Sequence, residues 1–224
     1  MLNCVSMNKQ QYLQAMGIQV WQEKGAVDDS PSSSSPETQA DQGVWGKLKE
    51  QTSCCTSCDL CKTKTHVVFG VGNQQADLLV VGEAPGANED LQGEPFVGRG
   101  GKLLDAMLHS IGLDRKDIYI ANILKCRPPK NRDPLPQEVE CCTPYLQQQI
   151  ALIQPKLIVT VGRIAAQFLL NTTESMGKLR GQVFHYGEKN IPLIATYHPA
   201  YLLRSPSKKV ESYKDFLHIQ GELG

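Results

Sequence analysis

The sequence has no net charge, because 23 lysines and arginines balance 23 aspartates and glutamates. A uniformly basic surface is thereby excluded, and any attraction to a polyanion must come from local patches. No apolar run approaches the roughly 20 residues that a membrane-spanning helix needs. No secretory leader opens the chain, so the expected location is the cytoplasm, with no membrane partner. Internal repeats are absent too, which argues against solenoids and propellers. What the chain does have is cysteine: eight in 224 residues. In a reducing compartment disulfides are disfavoured, so clustered cysteines point to a metal or cluster site.

The length suits one α/β domain with an appendage. Residues 1–43 read as a disordered N-terminal extension, with Ser30-Pro31-Ser32-Ser33-Ser34-Ser35-Pro36 as a flexible linker. From Val44 to Gly224 apolar strands alternate with helical patterns. Strands are expected at Asp77–Gly82, Asp117–Leu124, Lys156–Gly162 and Ile191–Tyr197. Helices are expected at Gly100–Ile111, Gln137–Ile153, Arg163–Leu170 and from about Lys208. Four near-continuous apolar strands separated by helices predict a three-layer α/β/α domain around a four-stranded parallel sheet.

Two loops stand out. Gly82-Glu83-Ala84-Pro85-Gly86 and His198-Pro199-Ala200-Tyr201-Leu202-Leu203-Arg204 each leave the carboxyl end of a predicted parallel strand, where open α/β sheets place ligands. One supplies backbone N–H groups and a carboxylate. The other supplies an imidazole, apolar side chains and a cation. Together they suit a flat polar heterocycle attached to a polyanion. Charge distribution agrees: residues 178–209 carry six lysines and arginines against one acid, and residues 124–132 carry four bases and no acid.

The cysteines lie on three segments: Cys55-x-x-Cys58, Cys126, and Cys142 in the first turns of a helix. Such a spread favours a bulky cuboidal cluster over a zinc site, which more often uses two close pairs. Spacing alone does not choose between Cys141 and Cys142, nor among Cys54, Cys55 and Cys61.

These motifs, with Glu89-Asp90, Gly93-x-Pro95-Phe96-Val97-Gly98, Asn122 and Lys125-Cys126-Arg127-Pro128-Pro129, resemble family-four uracil-DNA glycosylase from about Leu48 to Phe216. The resemblance implies a monomeric DNA-repair enzyme that hydrolyses the N-glycosidic bond of deoxyuridine in single- or double-stranded DNA. It also implies a four-iron four-sulfur cluster on Cys55, Cys58, Cys126 and Cys142, leaving Cys54, Cys61 and Cys141 as extra thiols.

The residues carry matching chemistry. Departing uracil becomes an anion, and a donor at its O2 stabilises the charge that develops. His198 is the expected donor, assisted by backbone N–H groups of Gly82, Glu83 and Ala84. Asn122 offers one donor and one acceptor to the base edge, which separates uracil from cytosine. Phe96, in a loop, is expected to floor the flipped base. Family-one enzymes have Asp where this chain has Ala84, so water activation falls to a neighbouring acid. Glu89 is expected either to position water or to crowd the C5 edge against thymine. Leu202 is expected as the wedge that fills the emptied stack, and Arg204, Lys208 and Lys209 as phosphate contacts.

In the extension, Asn8 and Gln11 read as a helix start and Gly17 as its stop, with Leu13, Met16, Ile18, Val20 and Trp21 apolar. A short amphipathic peptide on a tether is a docking element. Residues 8–21 also resemble the N-terminal peptide of the psi subunit of the bacterial replicative clamp loader, which implies a replication-machinery partner. Two other readings compete: a homologue that traps uracil-DNA covalently, and a non-catalytic iron–sulfur DNA-binding module. The first uses a histidine in a basic loop where this chain has Lys130-Asn131-Arg132-Asp133-Pro134.

Overall fold

The computed structural model describes residues 36–224, with side chains from residue 43. The expected docking peptide at 8–21, Cys4 and most of the Ser/Pro linker lie outside the described residues. Helix α1 (Pro36–Ser53) begins ahead of Val44, the expected start of the folded part. Proline at a first helical position fits, since its missing N–H would have no intrahelical acceptor there. Trp45, Leu48 and Thr52 are buried along one face of α1, and the Trp45 ring meets Phe69 and Tyr119 edge-on at 5.5 and 5.3 Å.

Six strands form one sheet: β1 (Val71–Gly72), β2 (Leu78–Gly82), β3 (Tyr119–Asn122), β4 (Leu157–Val161), β5 (Val183–Tyr186) and β6 (Ile191–Thr196). Their order is β1-β3-β2-β4-β6-β5. The four central strands run parallel, as expected, while β1 and β5 add antiparallel edges. Every residue of β2, β3 and β4 is buried, as strands covered on both faces must be.

Side chains alternate between two cores. Leu79, Val81, Tyr119 and Ile158 face α1, α4 (Pro136–Ile153) and α5 (Arg163–Leu169). Leu78, Val80, Ile120 and Val159 face α3 (Arg99–His109) and α8 (Lys209–Leu223). Between these lie three short helices, α2 (Ala87–Gln92), α6 (Met176–Leu179) and α7 (Pro199–Arg204). Among the described residues no helix is long and apolar enough to cross a membrane.

The register positions the site. Gly82 pairs with Asn122 at the carboxyl ends of β2 and β3, and β6 ends two residues before His198. The carbonyls of Gly82 and Glu83 accept from the N–H groups of Ile123 and Leu124 at 3.0 Å each. This pins the two loops to one another beyond the sheet.

Candidate active site

A cleft of about 520 Å³ opens at this end of the sheet. Glu83, Ala84, Glu89, Phe96, Asn122 and His198 all line it, which brings together residues from four separate segments. A second groove of about 600 Å³, between α4 and α5, is lined chiefly by prolines and aliphatic side chains and does not reach these residues.

Asn122 is only 2% exposed, and its Oδ1 has no hydrogen-bond partner among the described residues. A buried amide oxygen without a partner is costly and calls for an explanation. Beside it, Gly82 leaves space that no other residue could leave. A Cβ there would collide with the Asn122 carboxamide and come within 2.9 Å of the Phe96 ring. Phe96 itself has φ +55°, an unusual conformation for an aromatic residue, and its ring stacks against His198 at 5.7 Å with a 30° tilt.

His198 caps α7, accepting the Ala200 N–H on Nδ1 at 3.1 Å. Burial, aided by the Arg204 cation and partly opposed by Glu89, pulls its pKa down to about 4. The ring is therefore neutral near pH 7. With Nδ1 accepting, the proton sits on Nε2, which makes that nitrogen a donor.

The acids divide by role. Asp90 is buried and accepts the Thr65 N–H and hydroxyl, both at 2.8 Å, so it braces the loop. Glu89 lines the cleft, but its Oε1 accepts the N–H groups of Val97 and Gly98 at 3.1 and 3.2 Å. That bonding gives it a loop-holding job distinct from the two expected ones. Glu83 is the acid whose charge is most perturbed. Burial and the nearby Asp133 carboxylate raise it to about 7, with Arg163 opposing. Asp133 and Arg163, which pair at 3.7 Å, were not foreseen. Asp133 belongs to the loop after Cys126 and reaches the cleft only through the fold.

Cys55, Cys58, Cys126 and Cys142 share one electrostatic neighbourhood beneath that loop. Burial pushes the Cys126 thiol up to about 12, and Cys142, Cys58 and Cys55 all add to the rise against Lys64. Burial likewise raises Cys142, whose sulfur accepts the Lys125 N–H. Among the described residues no three potential ligands converge on a single ion. Of the adjacent pair, Cys142 is buried in the core, whereas Cys141 is half-exposed and donates to the Ser57 carbonyl at 3.3 Å.

The polyanion surface needs correction. Leu202, the expected wedge, is only 1% exposed and is turned away from solvent, lining a small cavity with Leu103, Met107 and Phe216. Lys208 is paired with Glu211 at 2.6 Å and Lys178 with Glu174 at 2.8 Å. Arg180 is half-buried and paired with both Asp215 and Glu211. Lys125 is 1% exposed, its ammonium donating to the Asn122 carbonyl at 2.9 Å and to Gln149 at 2.6 Å. Cations that do rim the cleft are Arg204, as expected, with Arg99 and Arg132, which were not singled out. Lys209 is exposed nearby in sequence.

Comparison with known proteins fits this geometry. The Uracil DNA glycosylase superfamily matches residues 69–220. A type-4 uracil-DNA glycosylase of Archaeoglobus fulgidus is 52% identical over 175 residues, covering 75% of this chain and 87% of the relative. One from Thermotoga maritima is 40% identical over 185 residues, covering 78% and 95%. A DNA polymerase of Bacillus phage SP01 is 32% identical over 149 residues, which span 66% of this chain and 15% of the polymerase. With a superfamily match over most of its length and relatives this similar along nearly their whole chains, the protein belongs to the type-4 uracil-DNA glycosylase family.

Proposed function

We propose that this chain removes uracil from DNA, hydrolysing the N-glycosidic bond of deoxyuridine to leave an abasic site. The observation that carries the reading is the buried, unpartnered amide oxygen of Asn122 beside the Phe96 ring and a neutral His198. A uracil edge offers what that amide lacks. Uracil N3–H donates to Asn122 Oδ1, and uracil O4 accepts from the Asn122 amino group. Cytosine, with an acceptor N3 and an amino group at C4, mismatches both positions. Phe96 carries the base face, and the absence of a side chain at Gly82 lets the Asn122 carboxamide and the Phe96 ring close together there.

Charge leaving the sugar accumulates on uracil O2. The His198 Nε2–H donates to that oxygen, and its low pKa keeps the ring from carrying a proton that burial would penalise. Glu83 is the acid best suited to position water, being in the cleft and close to half-ionised at neutral pH. Arg204, Arg99 and Lys209 meet phosphates of single- or double-stranded DNA.

Cys55, Cys58, Cys126 and Cys142 hold a four-iron four-sulfur cluster. With these four ligands, Cys55 and Cys58 after α1 would be tied to Cys126, which precedes the loop carrying Asp133 into the cleft. The enzyme works as a cytoplasmic monomer, with residues 8–21 recruiting it to the replication machinery. A non-catalytic module would have no use for Asn122, Phe96 and a neutral histidine gathered in one cleft. A covalent trap would leave protein attached to the DNA. Release of free uracil from a single-uracil oligonucleotide tests the proposal.

A further inference from the structure

Phe96 holds a backbone conformation that its own side chain disfavours, so neighbours must impose it. One guanidinium does much of this. Arg115, on the turn between α3 and β3, donates Nη1 to the Phe96 carbonyl at 2.9 Å and Nη2 to the Pro95 carbonyl at 2.6 Å. Nη1 also reaches Asp105 of α3 at 3.2 Å, which fixes the fork in place. On the other side of the bend, Glu89 accepts the next two N–H groups, those of Val97 and Gly98. Helix α3 comes so close behind the bend that a Cβ at Gly101 would overlap the Phe96 carbonyl.

Arg115 is absent from the residues lining the cleft. Its influence on a bound base therefore passes through the Pro95-Phe96 backbone. Two carbonyls one residue apart match a planar fork, and a lysine ammonium has no equivalent rigid geometry. We infer that Arg115 is a positioning residue for the base platform: it locks the Phe96 bend so that the ring is already oriented when uracil arrives. The inference rests on the proposed role of Phe96 as the surface on which uracil stacks.

The test uses the full chain and its Arg115→Ala, Arg115→Lys, Phe96→Ala and Arg115→Ala/Phe96→Ala variants. Three quantities are measured: inhibition by free uracil, affinity for an abasic-site oligonucleotide, and melting temperature. Arg115→Ala is expected to weaken uracil inhibition roughly tenfold, in keeping with the coupling of contacting residues. Abasic-site affinity should stay at the wild-type level, and Arg115→Lys should fall between the two. In the Phe96→Ala background the Arg115 substitution should add nothing. Wild-type uracil inhibition in Arg115→Ala, with inhibition lost in Phe96→Ala, would overturn the clamp and leave the platform standing. Unchanged inhibition in Phe96→Ala would remove the platform, and the clamp with it. If Arg115→Ala does not fold, Arg115→Lys decides, and full inhibition there contradicts the inference.

Discussion

Gly82 and Asn122 are register partners across β2 and β3, and a methyl group on Gly82 would intrude on both the Asn122 carboxamide and the Phe96 ring. The missing side chain is therefore part of the base site. Gly82→Ala is expected to abolish uracil release and, because the methyl overlaps two buried side chains, to cost about 1–3 kcal/mol of stability. Its φ is not in the left-handed region, so any effect is steric rather than conformational, and wild-type uracil release in Gly82→Ala would remove Gly82 from the base site.

His198 and Glu83 are displaced in opposite directions, to about 4 and about 7. Glu83 ionises as pH rises through about 7, so the single-turnover rate should rise with pH there and then level off. His198 stays neutral throughout that range and contributes no limb near its ordinary value. Glu83→Gln should flatten the profile and lower its plateau about 10²-fold. A limb near 6.5 that survives in Glu83→Gln would mean that His198 titrates as an ordinary exposed imidazole.

Burial of Leu202 moves the wedge question to its neighbours. Ala200 and Arg204 line the cleft from α7, and Leu203, three residues after Ala200, shares that face of the helix and is half-exposed. Leu203→Ala should lose more activity on duplex than on single-stranded substrate, since only the duplex has a stack to hold open. Leu202→Ala should instead lower stability by about 2–5 kcal/mol, with equal effects on both substrates. Equal losses for Leu203→Ala would show that α7 does not enter the stack.

The adjacent cysteines make a matched pair. Under the proposed ligand set, Cys142→Ser should lose iron and the visible absorption of the cluster. Cys141→Ser should retain both, because its thiol faces the Ser57 carbonyl. Stoichiometric zinc without iron in anaerobically purified protein would contradict the cluster.

How much could be read beforehand followed from burial. β2, β3, β4 and β6 were legible because strands covered on both faces are almost wholly apolar. β1 has two residues, and β5 is half-exposed beside a turn, so neither carries that signal. Residues 198–204 are expected as a loop, but Pro199 occupies the first position of α7, the helix on which Leu202 is buried. The basic run at 178–209 overstated the free charge because its acidic partners fall just outside that window: Glu174 for Lys178, Glu211 for Lys208, and Glu211 and Asp215 for Arg180. Asn122 and His198 stood out as polar residues at or just beyond strand ends and Phe96 as an aromatic residue in the loop between α2 and α3, and all three line one cleft. Arg115 was not legible: an arginine on a turn announces nothing until its carbonyl partners are known.

The central claim is that a neutral histidine and a base-reading amide act together on uracil in DNA. The most direct measurement is mass-spectrometric detection of free uracil after incubation with a duplex containing one deoxyuridine, for wild type, His198→Ala and Asn122→Ala. Wild type should release one uracil per strand and leave an abasic site. His198→Ala should slow release roughly 10²–10³-fold, the scale for losing one donor to a developing oxyanion, while still binding the DNA. Asn122→Ala should lose discrimination between uracil and cytosine. An unchanged rate in His198→Ala, or a protein–DNA adduct without free uracil, would contradict the account.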